Sequence, residues 1–258
     1  MLKLKDKTVF VTGASSGIGE ACARAFAAEG CRLILCARRK DRLENLAGQL
    51  SVKVYLAELD VRREPDVRKM LQGLPAEWQG IDILVNNAGL ARGFSALHEG
   101  DLQDWEEMID TNIKGLLYVT REVVTGMIRR NSGHVINIGS IAGHEAYPAG
   151  NVYCATKHAV DAITKGLRMD LLGTAIRVST VDPGLVETEF SMVRFHGDKA
   201  RAAKVYEGME PLTGADIADA VLYCATRPLH VQVAEMIIFP TAQRASTMVS
   251  RQDRGQID

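Results

Sequence analysis

Residues 7–30 read KTVFVTGASSGIGEACARAFAAEG, and this stretch decides the fold. It begins as an apolar strand rich in β-branched residues, turns at Gly13, Gly17 and Gly19, and continues with the alanine and phenylalanine periodicity of a helix. Glycines permit a tight turn and the close approach of a phosphate-bearing ligand, and the N-terminus of the helix offers free N–H groups and a positive dipole end. The spacing is G-x-x-x-G-x-G, which differs from the G-x-G-x-x-G of other dinucleotide folds. Alone, the stretch is equally consistent with a nucleotide site and with a structural turn.

Short apolar runs alternate with helical patterns along the rest of the chain, with little linker between them. The predicted strands are 8–12, 32–37, 53–58, 81–86, 134–139, 177–182 and 235–239. The predicted helices begin after Gly17, Asp41, Glu64, Leu102, Asn151 and Thr213, the last with a capping pair formed by Thr213 and Asp216. This alternation is typical of a parallel sheet covered by helices on both faces. We therefore expect an α/β protein in which residues 1–258 form a single domain around a doubly wound parallel sheet of about seven strands.

The composition of the chain excludes several classes of protein. With 258 residues, 47% of them hydrophobic, the chain can build a large core, and a net charge of −1 argues against a nucleic-acid-binding surface. No apolar run approaches the ~18 residues of a membrane span. The five cysteines are scattered without a C-x-x-C pair, which indicates buried thiols in a reducing compartment. Because the first strand follows Met1 within a few residues, there is no room for a signal peptide, and we expect a cytoplasmic protein.

A second stretch carries the candidate chemistry. Residues 134–160 read HVINIGSIAGHEAYPAGNVYCATKHAV, a strand that ends at Ser140, a loop and a helix. Tyr153 and Lys157 are four apart, so they lie on one face of that helix, where the ammonium favours the phenolate and lowers the tyrosine pKa from its ordinary value near ~10. Ser140 can donate a hydrogen bond to a polarised oxygen at the same place. This trio suits carbonyl and alcohol chemistry, whereas the pair alone is also consistent with an exposed Tyr–Lys contact.

Taken together, the motifs resemble those of the short-chain dehydrogenase/reductase family. They follow in the family's order as TGASSGIG (12–19), LDV (59–61), NNAG (86–89), Asn112, Ser140, Tyr153, Lys157 and Pro183-Gly184. The stretches LPAEWQGIDILVNNAGLA, DWEEMIDTNIKGL, GNVYCATKHAV and DPGLVETEFSMVRFHGD are similar to the NADP-dependent 3-hydroxy-acid (serine/allo-threonine) dehydrogenase branch, which includes sulfoacetaldehyde reductases. The resemblance implies a Rossmann-like fold.

The second predicted strand indicates which cofactor binds. An NAD enzyme of this architecture carries an acidic residue at the end of that strand, where it takes the ribose hydroxyls. Here the strand ends in Ala37, Arg38 and Arg39, so two guanidinium groups stand where a 2′-phosphate would lie. We therefore expect NADP(H) as the cofactor, with the start of a surface helix as the alternative explanation of the arginines.

The resemblance also implies the other contacts to the cofactor. The residues concerned are Gly13, Ser15, Ser16, Gly17, Ile18 and Gly19 in the turn, Asp60 and Val61 at the adenine, Asn87, Ala88 and Gly89 at the adenosine ribose, Tyr153 and Lys157 at the nicotinamide ribose, and Pro183, Gly184, Val186 and Thr188 at the carboxamide and pyrophosphate. Asn112 resembles the family asparagine that anchors a water relay from Lys157. In the implied mechanism Tyr153 exchanges the proton while Ser140 holds the substrate oxygen.

Residues 184–211 form a long irregular region after a strand end, which predicts a substrate lid, with a surface excursion as the alternative. Arg194 on this lid could clamp a carboxylate or sulfonate, with Tyr147 and Gln243 as helpers. The clamp fits a 3-hydroxy acid such as serine, allo-threonine or 3-hydroxypropionate, and it fits sulfoacetaldehyde and isethionate nearly as well. A reductase of bulky hydrophobic carbonyls and a non-catalytic NADP-binding sensor remain as further alternatives.

The remaining expectations concern metals, partners and the tail. The histidines lack metal spacing, His144 and His158 are interpreted as polar surface, and we expect no metal. Long apolar helices around 105–128 and 152–172 carry more hydrophobic surface than one sheet face needs, which suggests subunit contacts, and the family is commonly tetrameric. We expect a homo-oligomer that binds a small-molecule substrate and neither nucleic acid nor membrane. The tail, residues 241–258, has no clear periodicity.

Overall fold

The strand predicted at residues 8–12 lies at the centre of the sheet because both of its faces are apolar. In β1 (Thr8–Thr12) the side chains alternate between two layers. Val9 and Val11 pack into one core cluster, and Phe10 packs into the other on the opposite face. A strand buried on both sides in this way needs helices above and below it. The computed structural model, which describes residues 2–252 of the chain, has this arrangement.

All pairs of neighbouring strands are parallel, and the order in the sheet is β3-β2-β1-β4-β5-β6-β7. The other strands are β2 (Arg32–Ala37), β3 (Val54–Glu58), β4 (Ile83–Asn86), β5 (Gly133–Ile138), β6 (Ile176–Pro183) and β7 (Glu235–Ile238). The predicted doubly wound sheet is confirmed. Its order reverses between β1 and β4, and in open sheets of this kind ligands bind beyond the carboxyl ends of the strands at such a switch point.

Helices cover the two faces. They are α1 (Gly17–Ala28), α2 (Lys40–Gly48), α3 (Glu64–Gln72), α4 (Leu102–Ile109), α5 (Leu116–Arg130), α6 (Asn151–Asp170), α7 (Phe190–Arg194), α8 (Lys199–Lys204) and α9 (Gly214–Thr226). Residues of α1, α2 and α9 share one core cluster, and residues of α3, α5 and α6 share the other. The predicted capping pair is present at α9, where Thr213 and Asp216 bond reciprocally. Within residues 2–252 we find no helix with the length and apolar character needed to cross a membrane.

The helix expected around 105–128 is present, and it contains a π-helical segment, Asp110–Gly115, between α4 and α5. One prediction of local structure is wrong: the region expected to be irregular, 184–211, contains the short helices α7 and α8. It docks on the loop after β4, where Gly93 N donates to Arg194 O at 3.0 Å and Arg92 Nη1 donates to Val193 O at 2.7 Å. Both features are too short for their periodicity to show in the sequence.

Candidate active site

A cleft of about 820 Å³ opens at the carboxyl ends of the strands. The predicted cofactor, catalytic and substrate residues all line it except Gly19 and Asn112. The loops after β1, β4, β5 and β6 thus converge on one place, as the switch point of the sheet requires. Residues that are spread over most of the sequence thus lie together in one cleft.

The turn after β1 is tight and closely packed. Gly13 has a φ of +66°, and a Cβ there would lie 2.9 Å from the Cα of Ala88, so both its conformation and its surroundings require glycine. Gly19 does not line the cleft, and a side chain at this position would collide with the carbonyl of Gly13, so the close packing behind the turn requires glycine. Asn87 Nδ2 fastens the turn by donating to the carbonyls of Thr12 and Gly13 at 2.9 and 3.1 Å. The backbone is therefore fixed where a pyrophosphate would approach.

Ser140, Tyr153 and Lys157 meet at the end of β5. Ser140 follows the strand and caps the next turn by accepting a bond from Ala142 N at 3.1 Å. Tyr153 lies in the first turn of α6 and Lys157 one turn further on, and both side chains are buried. Lys157 Nζ donates to the carbonyl of Ile138 at 2.9 Å. The predicted trio is assembled, although in this structure the lysine bonds to the strand and not to the tyrosine.

The pKa of the Tyr153 hydroxyl lies above its ordinary value, chiefly because the ring is buried, with Tyr147 adding to the effect. A hydrogen bond to Ser140 and the charge on Arg194 act to lower this pKa but are outweighed. Lys157 Nζ is 5.9 Å from the centroid of the Tyr153 ring and is bonded elsewhere. The expected lowering of the tyrosine pKa by Lys157 is therefore wrong for the protein alone. Burial keeps Tyr153 as the neutral phenol, which is the form that donates a proton.

Lys157 is itself shifted. Burial lowers its pKa to about 8, while the charge of Asp182 acts in the opposite direction. The ammonium is thus charged at neutral pH but gives up its proton more readily than a surface lysine.

Asn112 lies in the π-helical segment, a kind of distortion found frequently at functional sites. Its Oδ1 accepts from Leu90 N at 2.9 Å, and its Nδ2 donates to Leu90 O at 2.8 Å and to Thr156 Oγ1 at 3.0 Å. The side chain therefore ties the loop after β4 to α6, one residue from Lys157. A water relay anchored at Asn112 stays a prediction.

The donors at the end of β2 suit a phosphate. Arg39 Nη2 donates to Ser16 Oγ at 2.9 Å, and its Nε and Nη2 lie 3.3 and 3.2 Å from Ser15 Oγ. Arg38 also lines the cleft, and its Nη1 lies 3.7 Å from Glu107 Oε1. Guanidinium and hydroxyl donors gather at one edge of the cleft beside the glycine turn, which is the donor set that a 2′-phosphate needs. The residues present thus fit NADP(H).

Asp60 and Val61 also lie in the cleft, as predicted for the adenine. The Asp60 carboxylate is held by Arg62, with Nη2 to Oδ2 at 2.6 Å and Nε 3.0 Å from each oxygen. Burial acts to raise the pKa of Asp60, but the bonds from Arg62 outweigh it and the pKa lies below its ordinary value. An adenine contact through Asp60 stays a prediction, and Arg62 is a neighbour that the sequence motif did not indicate.

Arg194 lies in an aromatic cage that includes the ring of Tyr153. Its guanidinium carbon is 4.8 Å from the ring centroid of Phe94, 5.5 Å from that of Tyr147 and 5.7 Å from that of Tyr153. Its Nη1 donates to the Tyr147 hydroxyl at 3.1 Å and its Nε donates to Gly93 O at 3.2 Å, while Nη2 donates to no group among residues 2–252. Nη2 is thus free to donate to an anion beside the ring of Tyr153.

Tyr147 and Gln243, the two predicted helpers, differ in their placement. Tyr147 supports Arg194 directly, as just described. Gln243 is almost fully buried, accepts from Leu185 N at 2.8 Å and donates to Ala245 O at 3.1 Å. In this structure Gln243 therefore anchors the tail to the start of residues 184–211, whose role as a substrate lid stays a prediction, as does a substrate contact through Gln243.

His144 is not part of the polar surface, which corrects the expectation for that residue, whereas His158 is exposed as expected. Within the described residues, His144, Asp182 and Glu235 form one group of potential metal ligands. Nε2 of His144 lies 3.2 Å from Asp182 Oδ2, and Nδ1 lies 3.5 Å from Glu235 Oε1. One ligand atom from each of the three residues lies within 4.8 Å of the others. The absence of a metal stays a prediction.

Besides Arg62, further residues of the site were not predicted from the sequence. Phe94 completes the aromatic cage around Arg194, and the ring of Phe190 packs edge-on to Tyr153 at 5.5 Å between centroids. Glu189 bonds to Arg39 from the start of the lid. Each lies in a segment without periodicity, and each contacts its partner across a long separation in sequence, so no local pattern could have indicated them.

This geometry defines a class of protein: an oxidoreductase that holds a dinucleotide across the switch point of a parallel sheet and places a phenol beside it. Residues 7–199 match the family model described as short chain dehydrogenase. The chain belongs to this family, which confirms the resemblance read from its motifs.

Similar proteins extend over nearly the whole chain. An NADP-dependent 3-hydroxy acid dehydrogenase of Escherichia coli (strain K12) is 50% identical over 236 residues, which are 91% of this chain and 95% of that protein. One from Schizosaccharomyces pombe is 43% identical over 256 residues, covering 97% of this chain and 99% of that protein. Among solved structures, the closed form of serine dehydrogenase complexed with NADP+ superposes with a TM-score of 0.91 at 47% identity, covering 95% of this chain and 100% of that chain.

Proposed function

We propose that the protein is an NADP(H)-dependent oxidoreductase that interconverts a short hydroxy compound bearing an acid group and the corresponding carbonyl. The observation that carries this proposal is the free Nη2 of Arg194 in a guanidinium that lies over the ring of the buried Tyr153. An anion held by Nη2 places the rest of a short substrate against the proton donor. The dehydrogenase names of the similar proteins support the same reading.

The roles of the residues follow from their positions. The cofactor, when bound, supplies or accepts the hydride. Tyr153 donates the proton in the reduction and accepts it in the oxidation, and its burial keeps that proton in place until the substrate arrives. Ser140 holds the substrate oxygen as negative charge develops on it. Lys157 adds a positive charge behind the tyrosine, and Arg38 and Arg39 contact the 2′-phosphate.

We favour 3-hydroxy acids such as serine, allo-threonine and 3-hydroxypropionate as substrates, because the similar proteins are named for that activity. Sulfoacetaldehyde and isethionate are the second candidate pair, since a guanidinium fork binds a sulfonate as it binds a carboxylate. Bulky hydrophobic carbonyls fit less well, because the rings that line the cleft surround a charge.

The test is an NADPH oxidation assay over short aldehydes with a carboxylate, a sulfonate or no acid, matched in chain length. We expect higher kcat/KM for the acidic members than for the neutral ones. Equal kcat/KM for neutral and acidic aldehydes would contradict the proposed substrate class, and the ratio of carboxylate to sulfonate decides between the two candidate pairs.

Replacing both Arg38 and Arg39 with alanine is expected to raise the KM for NADPH by about tenfold or more, because charged hydrogen bonds are worth roughly 1.5–3 kcal/mol each. The KM for NADH should change much less, since NADH has no 2′-phosphate. Steady-state kinetics with both cofactors at saturating aldehyde measure the effect. A wild-type protein that uses NADPH and NADH equally would show that the arginines have another role.

The rate of reduction should depend on the charge of Lys157. Its folded-state pKa of about 8 means that the ammonium is present below this pH and is lost as the pH rises through it. Because Tyr153, with its raised pKa, stays protonated over this window, kcat/KM for reduction should be level near neutral pH and fall above about 8. In Lys157→Arg the charge persists, so the fall should disappear even if the overall rate is lower. If kcat/KM of Lys157→Arg still falls above a pH of about 8, the fall is due to the titration of another group.

The location and assembly of the protein remain expectations. The five cysteines are buried and form no disulfides with each other, as expected of a protein in a reducing cytoplasm.

Large apolar side chains are exposed on α5 and at the end of α6, namely Leu117, Ile128, Met169 and Leu172. These surfaces support the expectation of a homotetramer, which light scattering on the purified protein can check.

A further inference from the structure

A carboxylate from the lid stands between two arginines at the edge of the cofactor cleft. Glu189 lies immediately before α7, and its two oxygens take one arginine each. Arg39 Nη1 donates to Oε2 at 2.9 Å, and Arg42 Nη1 donates to Oε1 at 2.6 Å. Arg39 lines the cleft, whereas Arg42, on the outward side of α2, does not line it. The three side chains form what we call the Glu189 cluster.

The cluster fixes the edge of Arg39 that faces the cleft. With Nη1 held by Glu189, the Nε and Nη2 edge is turned to the hydroxyls of Ser15 and Ser16, beside the glycine turn. A free arginine loses rotamer freedom when it binds a ligand, and a guanidinium already held on one side loses less. Arg42 holds the far oxygen of the carboxylate and so keeps Glu189 in place.

The charges of the cluster are compatible with binding an anion. The bond from Arg42 lowers the pKa of Glu189 below its ordinary value, burial acts in the opposite direction, and Arg39 adds to the lowering, so the carboxylate is ionised at neutral pH. Two guanidinium groups and one carboxylate leave a net positive charge next to the expected phosphate position. The carboxylate therefore orders Arg39 without cancelling the attraction for a phosphate.

We infer that Glu189, held by Arg42, positions Arg39 for the 2′-phosphate and so strengthens the preference for NADP(H) over NAD(H). This inference rests on the proposed use of NADP(H). Glu189 is a positioning residue here, since it acts through Arg39 and is not required to touch the cofactor. It also connects the cofactor site to the lid, because the residue that orders Arg39 is the one from which α7 begins.

The opposite role for Glu189 would be competition. A carboxylate on Arg39 could occupy the donors that the phosphate needs and repel the phosphate charge. The two roles differ in sign: removing the carboxylate weakens phosphate binding if Glu189 positions Arg39, and strengthens it if Glu189 competes.

The experiment measures binding, not turnover. Isothermal titration with 2′,5′-ADP and with 5′-AMP gives the ratio of their affinities, which isolates the 2′-phosphate from the rest of the cofactor. We expect Glu189→Gln and Arg42→Met each to lower this ratio by about fivefold, which is less than the loss of one charge-assisted hydrogen bond, because Arg39 itself remains and loses only its positioning. The double variant should lose no more than the larger single loss, because both residues act through one cluster. In Arg42→Lys, which keeps the charge, part of the ratio should be recovered.

Arg24→Met is the matched control. Arg24 is a partly exposed arginine on α1 that pairs with Glu20 at 2.7 Å and lies outside the cofactor cleft, so this variant removes the same charge without breaking the cluster. Its ratio should equal that of the wild type. An unchanged or higher ratio in Glu189→Gln, or the same loss in Arg24→Met as in Arg42→Met, would overturn the inference. Equal affinity of the wild type for the two nucleotides would refute the use of NADP(H) itself, and the inference with it.

Discussion

Replacing Tyr153 with phenylalanine is expected to leave NADPH binding intact and to lower turnover by about a hundredfold or more, the usual size of a general-acid contribution. The variant keeps the ring and therefore its edge-on contact with Phe190, so the cage around Arg194 persists. It removes the hydroxyl, and with it the proton that the reduction delivers to the substrate oxygen. The measurement pairs kcat with the dissociation constant of NADPH, obtained from its fluorescence.

Tyr147→Phe provides the comparison for Tyr153→Phe, because it removes a second hydroxyl from the same cage without touching the proton path. That hydroxyl bonds to Arg194, so we expect a weaker effect, mainly on the KM of acidic substrates. Turnover of Tyr153→Phe close to that of the wild type would remove Tyr153 from its role. Phenylalanine has no hydroxyl and therefore no proton to deliver, so it cannot replace Tyr153 in this step.

The parts of the fold that the sequence predicted are those with a short-range signal. Each strand is a run of apolar residues between helical patterns, and a strand such as β1, with Val9 and Phe10 facing opposite layers, can only be buried on both faces. Tyr153 and Lys157 are four residues apart on one helix, so their common face follows from the helical repeat. The glycine turn was likewise predictable, because glycines mark positions where the backbone takes a positive φ, as it does at Gly13.

What the sequence could not predict depends on burial or on contacts across the chain. The tyrosine pKa was expected to fall because a lysine is near in sequence, but the depth of the ring and the bond of Lys157 to Ile138 decide it. Glu189 and Arg39 are 150 positions apart, and no local pattern relates them. The π-helical segment and the short lid helices are likewise set by what packs against them, because each is shorter than the window in which periodicity becomes visible.

Arg194→Ala should lower kcat/KM for acidic aldehydes and hydroxy acids by about thirtyfold or more, because removing one partner of a desolvated, hydrogen-bonded charge pair costs about 2–5 kcal/mol. Neutral aldehydes of equal length should be affected much less, since Tyr153, Ser140 and the cofactor site are unchanged. Arg194→Lys should recover only part of the loss, because lysine keeps the charge but lacks the planar guanidinium, which Gly93 and Tyr147 hold in place.

The same variant separates recognition from lid order. Arg194 also stacks on Phe94 and donates to Gly93 O, so its loss could loosen the lid and slow all substrates alike. Arg201→Ala is the matched control, because Arg201 also lines the cleft and stacks on Phe195 from α8 at 4.7 Å, whereas Arg194 stacks on Tyr153. A loss that is selective for acids in Arg194→Ala and absent in Arg201→Ala assigns the anion to Arg194. If instead neutral and acidic aldehydes lose equally in Arg194→Ala, the arginine orders the lid, and the acid group of the substrate must be held elsewhere in the cleft.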